Sequence, residues 1–452
     1  MTMAATYAAF LRQLYEEHLE EASFLYEQRQ RLLTDPELTW LEVAEFEERL
    51  EAHLDALVIG GDVAAEVCRN RAAQGDAGAL FAAACTFCRR LQAPMLANVI
   101  KTFDGEDAAK SDALTDALKH ELPDDWKDFC VRALATADPR LGAILARTLG
   151  YRRLPVAGAL LRALETAAPT AAPSLLWSLG RTGDETAIPA ARRFMLADDS
   201  ATVSAALHAA LRLRDHDALI SVAAAAPVAE SHPIALGLAG DRHSVAALLA
   251  AVNGSGRQID VIVALGLLGD LSAVRPLIGF LRAEPLAGAA ADALHVITGA
   301  PLFEDVLVPE LMTEEELFPA ELDAFRERAQ LPRRPDGQPF GARVRRLSRD
   351  AAVWGDWLTS NASRFHADLR YRNGFLYGPD ALLDCLRSPT YPKSFRALAA
   401  EELLVRYGVD LQFEADMRVT RQVEILRDAA GPVAEAAQRF DPGRWYFAGR
   451  QV

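Results

Sequence analysis

The sequence predicts an all-α protein, most of it an α-solenoid of stacked helix pairs. Three observations carry this. A short phrase recurs between Leu141 and Ala300: Leu149-Gly150, Leu179-Gly180-Arg181-Thr182-Gly183-Asp184, Leu211-Arg212-Leu213-Arg214-Asp215, Leu236-Gly237-Leu238-Ala239-Gly240-Asp241 and Leu265-Gly266-Leu267-Leu268-Gly269-Asp270, fading at Ile297-Thr298-Gly299. Its steps of roughly 25–32 residues fall in the period range of solenoids. Each copy lies between apolar segments spaced by three and four, such as Ala172, Leu175, Leu176 and Leu179 before it and Ala187, Ile188, Ala191, Phe194 and Met195 after it, which buries one helical face. The chain is 51% hydrophobic and 25% charged, and its frequent alanines combine high helix propensity with close helix approach.

Within a unit, the glycine after each leucine is expected to take positive φ and stop the first helix. Asp184, Asp215, Asp241 and Asp270 then fall where an N-cap is needed, and the helix dipole favours their charge. Two helices of about ten residues with their turns account for about 30 residues. Asp199-Ser200-Ala201-Thr202-Val203-Ser204-Ala205-Ala206 follows the pattern D-x-x-x-V-x-A-A at the start of a second helix. Together these phrases resemble short HEAT repeats, of the kind also found in bilin lyases. That resemblance implies the fold and is nearly silent on function. One copy departs: Arg212 replaces the glycine, and His208 takes the slot of Leu176 and Ile262, as a half-buried packing residue.

Residues 1–61 read as an acidic helical hairpin that caps the row. Tyr7, Phe10, Leu11, Leu14 and Tyr15 recur at helical spacing. Thr34-Asp35-Pro36 breaks the first helix, and Thr39 with Glu42 forms a capping box for a second, from Trp40 to Gly60-Gly61. Glu17, His18, Glu20, Glu21, His53 and Asp55 are residue types that hold divalent ions. The reading adopted is an acidic outer face with partly buried imidazoles, so no metal ligand and no other cofactor is assigned. Residues 62–140 read as irregular helical repeats, with a degenerate glycine–aspartate turn at Gly75-Asp76 and a helical pair over 107–118 and 126–137. Cys85-x-x-Cys88 lies in an apolar helix without a second ligand pair, so these are core cysteines rather than a zinc site. Five cysteines suit a reducing compartment.

Regular repeats occupy 141–300. The irregular segment 301–349 holds an acidic helix start at 313–316 and a Pro/Arg-rich loop at 331–339. Arg343, Arg345, Arg346 and Arg349 follow, read as a solvated helix face, with contact to an acidic partner as the alternative. Residues 350–452 form a less regular helical region. Trp354 and Trp357, three apart, pack into a core. Residues 396–403 read as another repeat helix, ending at Tyr407-Gly408. The aromatic tail, residues 440–447, is expected to dock on the protein or on a partner.

His18-Leu19-Glu20-Glu21-Ala22-Ser23-Phe24-Leu25 and Glu48-Arg49-Leu50-Glu51-Ala52-His53-Leu54-Asp55-Ala56-Leu57 resemble the opening of a bacterial HEAT-repeat family of unassigned activity. The similarity continues through the repeats to Trp354-x-x-Trp357, Arg370-Tyr371-Arg372-Asn373-Gly374 and residues 396–403. The resemblance implies no catalytic residues. It also implies an association with type VI secretion genes for spike proteins, effectors and effector adaptors.

The chain contains no P-loop, dinucleotide glycine fingerprint, H-E-x-x-H or G-x-S-x-G. Asn253-Gly254-Ser255-Gly256 is a turn with no strand before it. HEAT-like iron hydroxylases carry several His-Glu dipeptides; this chain has His120-Glu121 alone, in a loop-like stretch. The net charge of -15 opposes phosphate-backbone binding, so a HEAT-like DNA-binding role is the least favoured class. No apolar run spans a membrane and no signal peptide is evident, so membrane contact is not expected and the location is cytoplasmic. The expectation is a non-enzymatic protein-binding scaffold, a chaperone or co-adaptor for a type VI secretion effector or its loading adaptor. A HEAT-like lyase or other enzyme subunit is the alternative. No catalytic residue is assigned. The second helices line a concave face, and the partner-binding strip on it is Arg147, Trp177, Arg181, Arg212 and Arg214.

Overall fold

In the computed structural model, which describes residues 3–35, 38–102, 105, 107–223, 228–252, 254, 256–309, 317–328, 331–335 and 337–452 (backbone alone at 3–6, 73, 223, 320 and 328), the chain is mostly helical. Aspartates start the helices. Asp76, Asp138, Asp184, Asp199, Asp241 and Asp270 accept hydrogen bonds from the amides of Ala79, Leu141, Thr186, Thr202, Ser244 and Ser272. Each satisfies a donor that the first helical turn leaves free. Asp215 also accepts from the Asp217 amide, at 3.1 Å, but its main partner is the Arg192 guanidinium, at 2.7 and 2.5 Å.

Glycines stop the helices, but not the glycines expected. Gly183, Gly269 and Gly299 are the left-handed C-caps, with φ of 69°, 68° and 64°. The glycines that follow the leucines, Gly150, Gly180, Gly237 and Gly266, lie inside helices. A Cβ at Gly150 would stand 2.7 Å from the Ser178 Cα, one at Gly180 2.7 Å from the Ala209 Cα, and one at Gly237 2.9 Å from the Ala264 Cα. One at Gly266 would stand 2.8 Å from the Phe395 ring of the C-terminal region and 3.1 Å from the Ala293 Cβ. The role of the first three is therefore close backbone approach between helices one unit apart, and that of Gly266 is room for the Phe395 ring, not a left-handed stop. Gly180→Ala is expected to cost about 1–3 kcal/mol by overpacking. A Cβ at Gly142, also mid-helix, meets nothing within 4 Å, so Gly142→Ala should be neutral or stabilising by up to about 1 kcal/mol. Paired thermal melts check both, and equal shifts would refute the contact.

These contacts order the helices in a row. Ala77–Arg89 packs on Ala108–Glu121, then Pro139–Tyr151, Ala172–Thr182 and Ser200–Arg212 follow in turn. A second run goes from Pro233–Ala239 to Gln258–Leu268 to Glu284–Thr298. The two runs touch only lightly, at the unit where Arg212 stands in place of the glycine, and Lys393–Tyr407 packs beside both. Among the described residues the buried apolar side chains form two cores, one centred on each run, with Ala235 and Ala239 of the second run joining the first. The chain ends tie them crosswise: Trp40 and Val43 enter the second core, Val405 and Phe447 the first.

The N-terminal hairpin comprises Met3–Thr34 and Val43–Ile59. Glu42 accepts from the Thr39 amide and hydroxyl at 2.7 and 2.8 Å, but the helix starts after it, and Trp40 is buried with its indole on the Ser388 carbonyl, 3.1 Å away. All five cysteines are buried and unpaired. Burial pushes the thiols of Cys68, Cys88 and Cys385 up to about 12.

The chain is mostly helical, as expected, with three short antiparallel strand pairs among the described residues. Phe303–Pro309 pairs antiparallel with Gly341–Leu347, Phe303 opposite Leu347. Arg343, Arg345 and Arg346 thus lie on a strand, not a helix, with Arg346 3.2 Å from Glu304 and Arg345 over the Phe303 ring. Tyr371–Arg372 with Phe375–Leu376 and Tyr446–Phe447 with Arg450–Gln451 make two small hairpins. Each turns through two left-handed residues, Asn373-Gly374 and Ala448-Gly449, which match the strand twist. The tail docks on the chain itself, with Trp445, Tyr446 and Phe447 buried. Trp354 is core, its indole donating to the Ser348 carbonyl. The acidic stretch 313–316, Pro36, Asn253 and Ser255 lie outside the described residues.

Candidate functional site

A helix leaves its last carbonyls unpaired and its C-terminus partly negative. Along the row, the C-terminal region answers those ends. Arg406 donates to the carbonyls of Gly237 and Gly240 at 2.9 and 3.2 Å. Arg370 donates to Leu268 and Leu267 at 2.8 and 3.1 Å, and Arg372 to Leu267 at 2.9 Å. The amides of Tyr371, Asn373 and Gly374 reach Gly269, Val296 and Ile297. Arg370, Arg372 and Arg406 are fully buried. Arg370 lies 3.5 Å over the Tyr377 ring and 4.3 Å from that of Trp445, contacts that suit a weakly hydrated guanidinium. Burial and the neighbouring Arg406 bring Arg370 down to about 10. Glu402 supplies the opposite charge, 2.5 Å from Arg372 and 2.6 Å from the Tyr377 hydroxyl.

Further along, the same region offers carboxylates to the row. Glu414 accepts from Arg181 at 2.7 and 2.9 Å and from Arg153 at 2.7 Å. Glu401 accepts from Arg212 at 2.6 Å. Of the residues singled out from the sequence, Arg181 and Arg212 both reach Glu401, at 3.5 and 2.6 Å. Arg181 stands 3.5 Å over the Trp177 ring and Arg147 5.9 Å from it. But Arg181 and Arg212 are buried against the chain's own C-terminal region. Arg214, exposed, donates to the Ala448 carbonyl, and Arg147 pairs with Asp112 at 3.4 Å.

Burial would raise the Glu401 carboxyl, yet Arg212 and Arg181 outweigh it and hold the group at about 2 against 4.5. A depressed carboxylate stabilises the fold fully above its unfolded value and loses that contribution as pH falls from about 4.5 through about 2. The contribution is on the order of 3 kcal/mol. Glu401→Gln should be clearly less stable than the parent at pH 7, with the gap closing toward pH 2. A gap constant with pH in denaturant titrations would contradict the assignment.

Where the C-terminal region meets the first run, a cavity of about 360 Å³ remains, walled by Lys119, Tyr151, Arg152, Arg153, Arg418 and Arg421 among others, with no carboxylate among the described residues of the wall. Each of these cations is paired with an acid: Arg153 with Glu414 at 2.7 Å, Lys119 with Asp116 at 3.0 Å and Arg421 with Glu424 at 3.0 Å. Asp416 meets Lys119 at 3.0 Å, Asp124 meets Arg152 at 2.6 Å, and Glu51 and Glu121 meet Arg418 at 2.7 and 2.5 Å. His120, also in the wall, ends the helix Ala108–Glu121 rather than lying in a loop. Burial, Arg29 and Arg418 hold it well below the usual histidine range, hence neutral.

At the N-terminal hairpin His18 and His53 bring their Nδ1 atoms to 3.0 Å. Glu20 is taken by Arg71, and Asp55 by Arg89 at 2.9 Å. Among the described residues no three His, Cys, Asp or Glu side chains converge as a metal site, and no helix is long and apolar enough to cross a membrane.

Sequence reasoning missed Arg153, Arg370, Arg372, Arg406, Glu402 and Glu414. A signal existed for two of them. Ala399, Glu402, Leu403 and Arg406 share one helical face, so a charge pair interrupts an apolar stripe. No family model, curated protein or solved structure matches the chain.

Proposed function

We propose that the protein is a non-enzymatic protein-binding scaffold, an α-solenoid of short HEAT-like helix pairs. The observation that carries this reading is the unit-spaced glycine contact: Gly150 on Ser178, Gly180 on Ala209 and Gly237 on Ala264. Such packing stacks each unit on the next and leaves long surfaces along the row. One of those surfaces already grips polypeptide, the chain's own C-terminal region. Exposed apolar side chains on the first helix, Tyr7, Phe10 and Phe24, suit contact with another protein.

By its resemblance to the secretion-associated family, the partner is a type VI secretion effector or its loading adaptor, and the protein acts in the cytoplasm as chaperone or co-adaptor. The test is purification of the tagged chain from its native host, followed by reconstitution with the purified candidate. A stoichiometric complex weakened by joint replacement of Tyr7 and Phe10 with alanine is expected. The reading fails if purified effector and adaptor do not bind and effector loading is unchanged in a deletion strain.

A further inference from the structure

We propose that the open edge of the strand Gly341–Leu347 is a docking site for an extended acidic segment of another protein, which joins the strand pair as a third strand. This goes beyond the scaffold reading and does not depend on it, since the strand pair is not one of the stacked helices. The first observation is a free backbone edge. Among the described residues Phe303–Pro309 and Gly341–Leu347 pair only with each other. The Ser348 amide donates to the Leu302 carbonyl at 2.7 Å, which makes these two a hydrogen-bonded pair and sets the alternation along the ladder. Glu304 with Arg346, Val306 with Val344 and Val308 with Ala342 are then the inward-bonding pairs, and the amides and carbonyls of Arg343 and Arg345 point away from the partner strand. None of these outward groups has a backbone partner among the described residues. Such an edge is a template for another strand.

The second observation is unanswered charge. Arg343 and Arg345 are exposed. Among the described residues Arg343 makes no ion pair, and Arg345 lies 5.2 Å from the centre of the Phe303 ring rather than on the carboxylate of Asp305, which stands opposite it in the ladder. Arg333 and Arg334, exposed just before the strand, donate to the carbonyls of Gly337 and Gly341 at 3.1 and 2.6 Å and meet no carboxylate among the described residues. Arg346, on the inward-bonding side, is matched by Glu304. The chain carries 63 Asp and Glu against 48 Lys and Arg, so these arginines make a local positive field on an acidic background.

Charge selects both the edge and its occupant. The other strand of the pair carries Glu304 and Asp305, so an acidic segment is repelled from that edge and drawn to the one that carries the arginines. Side chains alternate along a strand, so an incoming segment with an acid at every second position sets those acids on the face of Arg343 and Arg345. The same arginines discourage indiscriminate pairing at an exposed edge. Phe340 and Val308, both exposed beside the start of the strand, add apolar area for a bound segment. A nucleic acid could use the cations, but it leaves the outward amides and carbonyls without a ladder and meets a chain of net charge -15.

The experiment is a fluorescence-anisotropy titration of the full chain with a labelled peptide of five Thr-Glu repeats. Two comparison probes are the same peptide N-methylated at every residue, which keeps its charges but cannot donate to the edge, and an oligothymidine of equal length. Saturable binding of one peptide per chain is expected, with both comparison probes at least about tenfold weaker. Hydrogen exchange across residues 340–347 should slow in the complex. Joint Arg343→Glu and Arg345→Glu should weaken binding about tenfold or more, since two exposed charge contacts are lost and reversed. Both side chains are exposed, so the variant should melt as the parent does. Joint Lys101→Glu and Arg132→Glu makes the same change of net charge at exposed positions on the helices Ala93–Thr102 and Lys127–Leu134, and should bind as the parent does. The assignment is overturned if the peptide does not saturate at millimolar concentration or if its N-methylated form binds equally. It is also overturned if oligothymidine binds more tightly, which assigns the patch to nucleic acid, or if the changes at Arg343 and Arg345 act no more strongly than those at Lys101 and Arg132.

Discussion

Glu402→Ala is expected to destabilise the protein by roughly 3–5 kcal/mol, the usual cost of breaking one partner out of a buried ion pair. Glu402 and Arg372 are both 0% exposed. Without the carboxylate, the Arg372 guanidinium keeps only the Leu267 carbonyl and the Tyr391 hydroxyl at 3.3 Å, and the Tyr377 hydroxyl loses its acceptor. Against a typical total of about 5–15 kcal/mol, this is a large share. The double change Glu402→Leu with Arg372→Met removes both charges and should recover much of the loss, because an apolar pair carries no desolvation penalty. As a surface comparison, Arg427 and Asp428 are 3.5 Å apart but about three-quarters exposed, and Asp428→Ala should stay within about 0.5 kcal/mol of the parent. Urea unfolding midpoints for the parent and the three variants decide the matter. A shift for Glu402→Ala no larger than that for Asp428→Ala would remove the pair from any role in holding the C-terminal region to the row.

The mostly helical character, the N-caps and the docking of the aromatic tail were legible in the sequence because each is a local rule. An aspartate before a helix binds the next free amides whatever lies beyond it, as Asp184, Asp241 and Asp270 do. The glycines after the leucines were misread because a local rule and a tertiary one compete for the same residue. Positive φ and close approach both select glycine, and only the neighbouring helix shows that Gly180 serves the second. Arg343, Arg345 and Arg346 read as a helix face in the sequence because the strand that pairs with theirs, Phe303–Pro309, lies more than thirty residues upstream; pairing at that separation leaves no local mark. The same holds for the site. Arg181 and Arg212 look like a free recognition strip in sequence, since nothing local announces that Glu414 and Glu401 arrive from about 230 and 190 residues away to cover them.

Deletion of residues 350–452 is expected to abolish the cooperative fold of the second run. That region supplies Trp354, Tyr371, Tyr377, Leu382 and Phe395 to the second core, and its guanidinium groups are the partners of the helix-end carbonyls of Gly237, Leu267 and Leu268. Loss of Glu401 and Glu414 also leaves Arg212, Arg181 and Arg153 buried or newly wetted without a counter-charge. The truncated chain should keep far-UV helicity, lose near-UV signal and bind an apolar dye, as chains do when side-chain packing is lost but helices remain. The N-terminal hairpin is tied in as well, since Lys393 donates to the carbonyls of Leu32 and Asp35 at 2.7 and 2.6 Å and Arg418 reaches Glu51. Partner contacts are therefore better mapped by surface substitutions such as those at Tyr7 and Phe10 than by truncation. A monomeric deletion variant with a sharp melt would mean the opposite: that the C-terminal region is a detachable segment, that Arg153, Arg181 and Arg212 form an open groove without it, and that an acidic partner segment can take the place of Glu401 and Glu414.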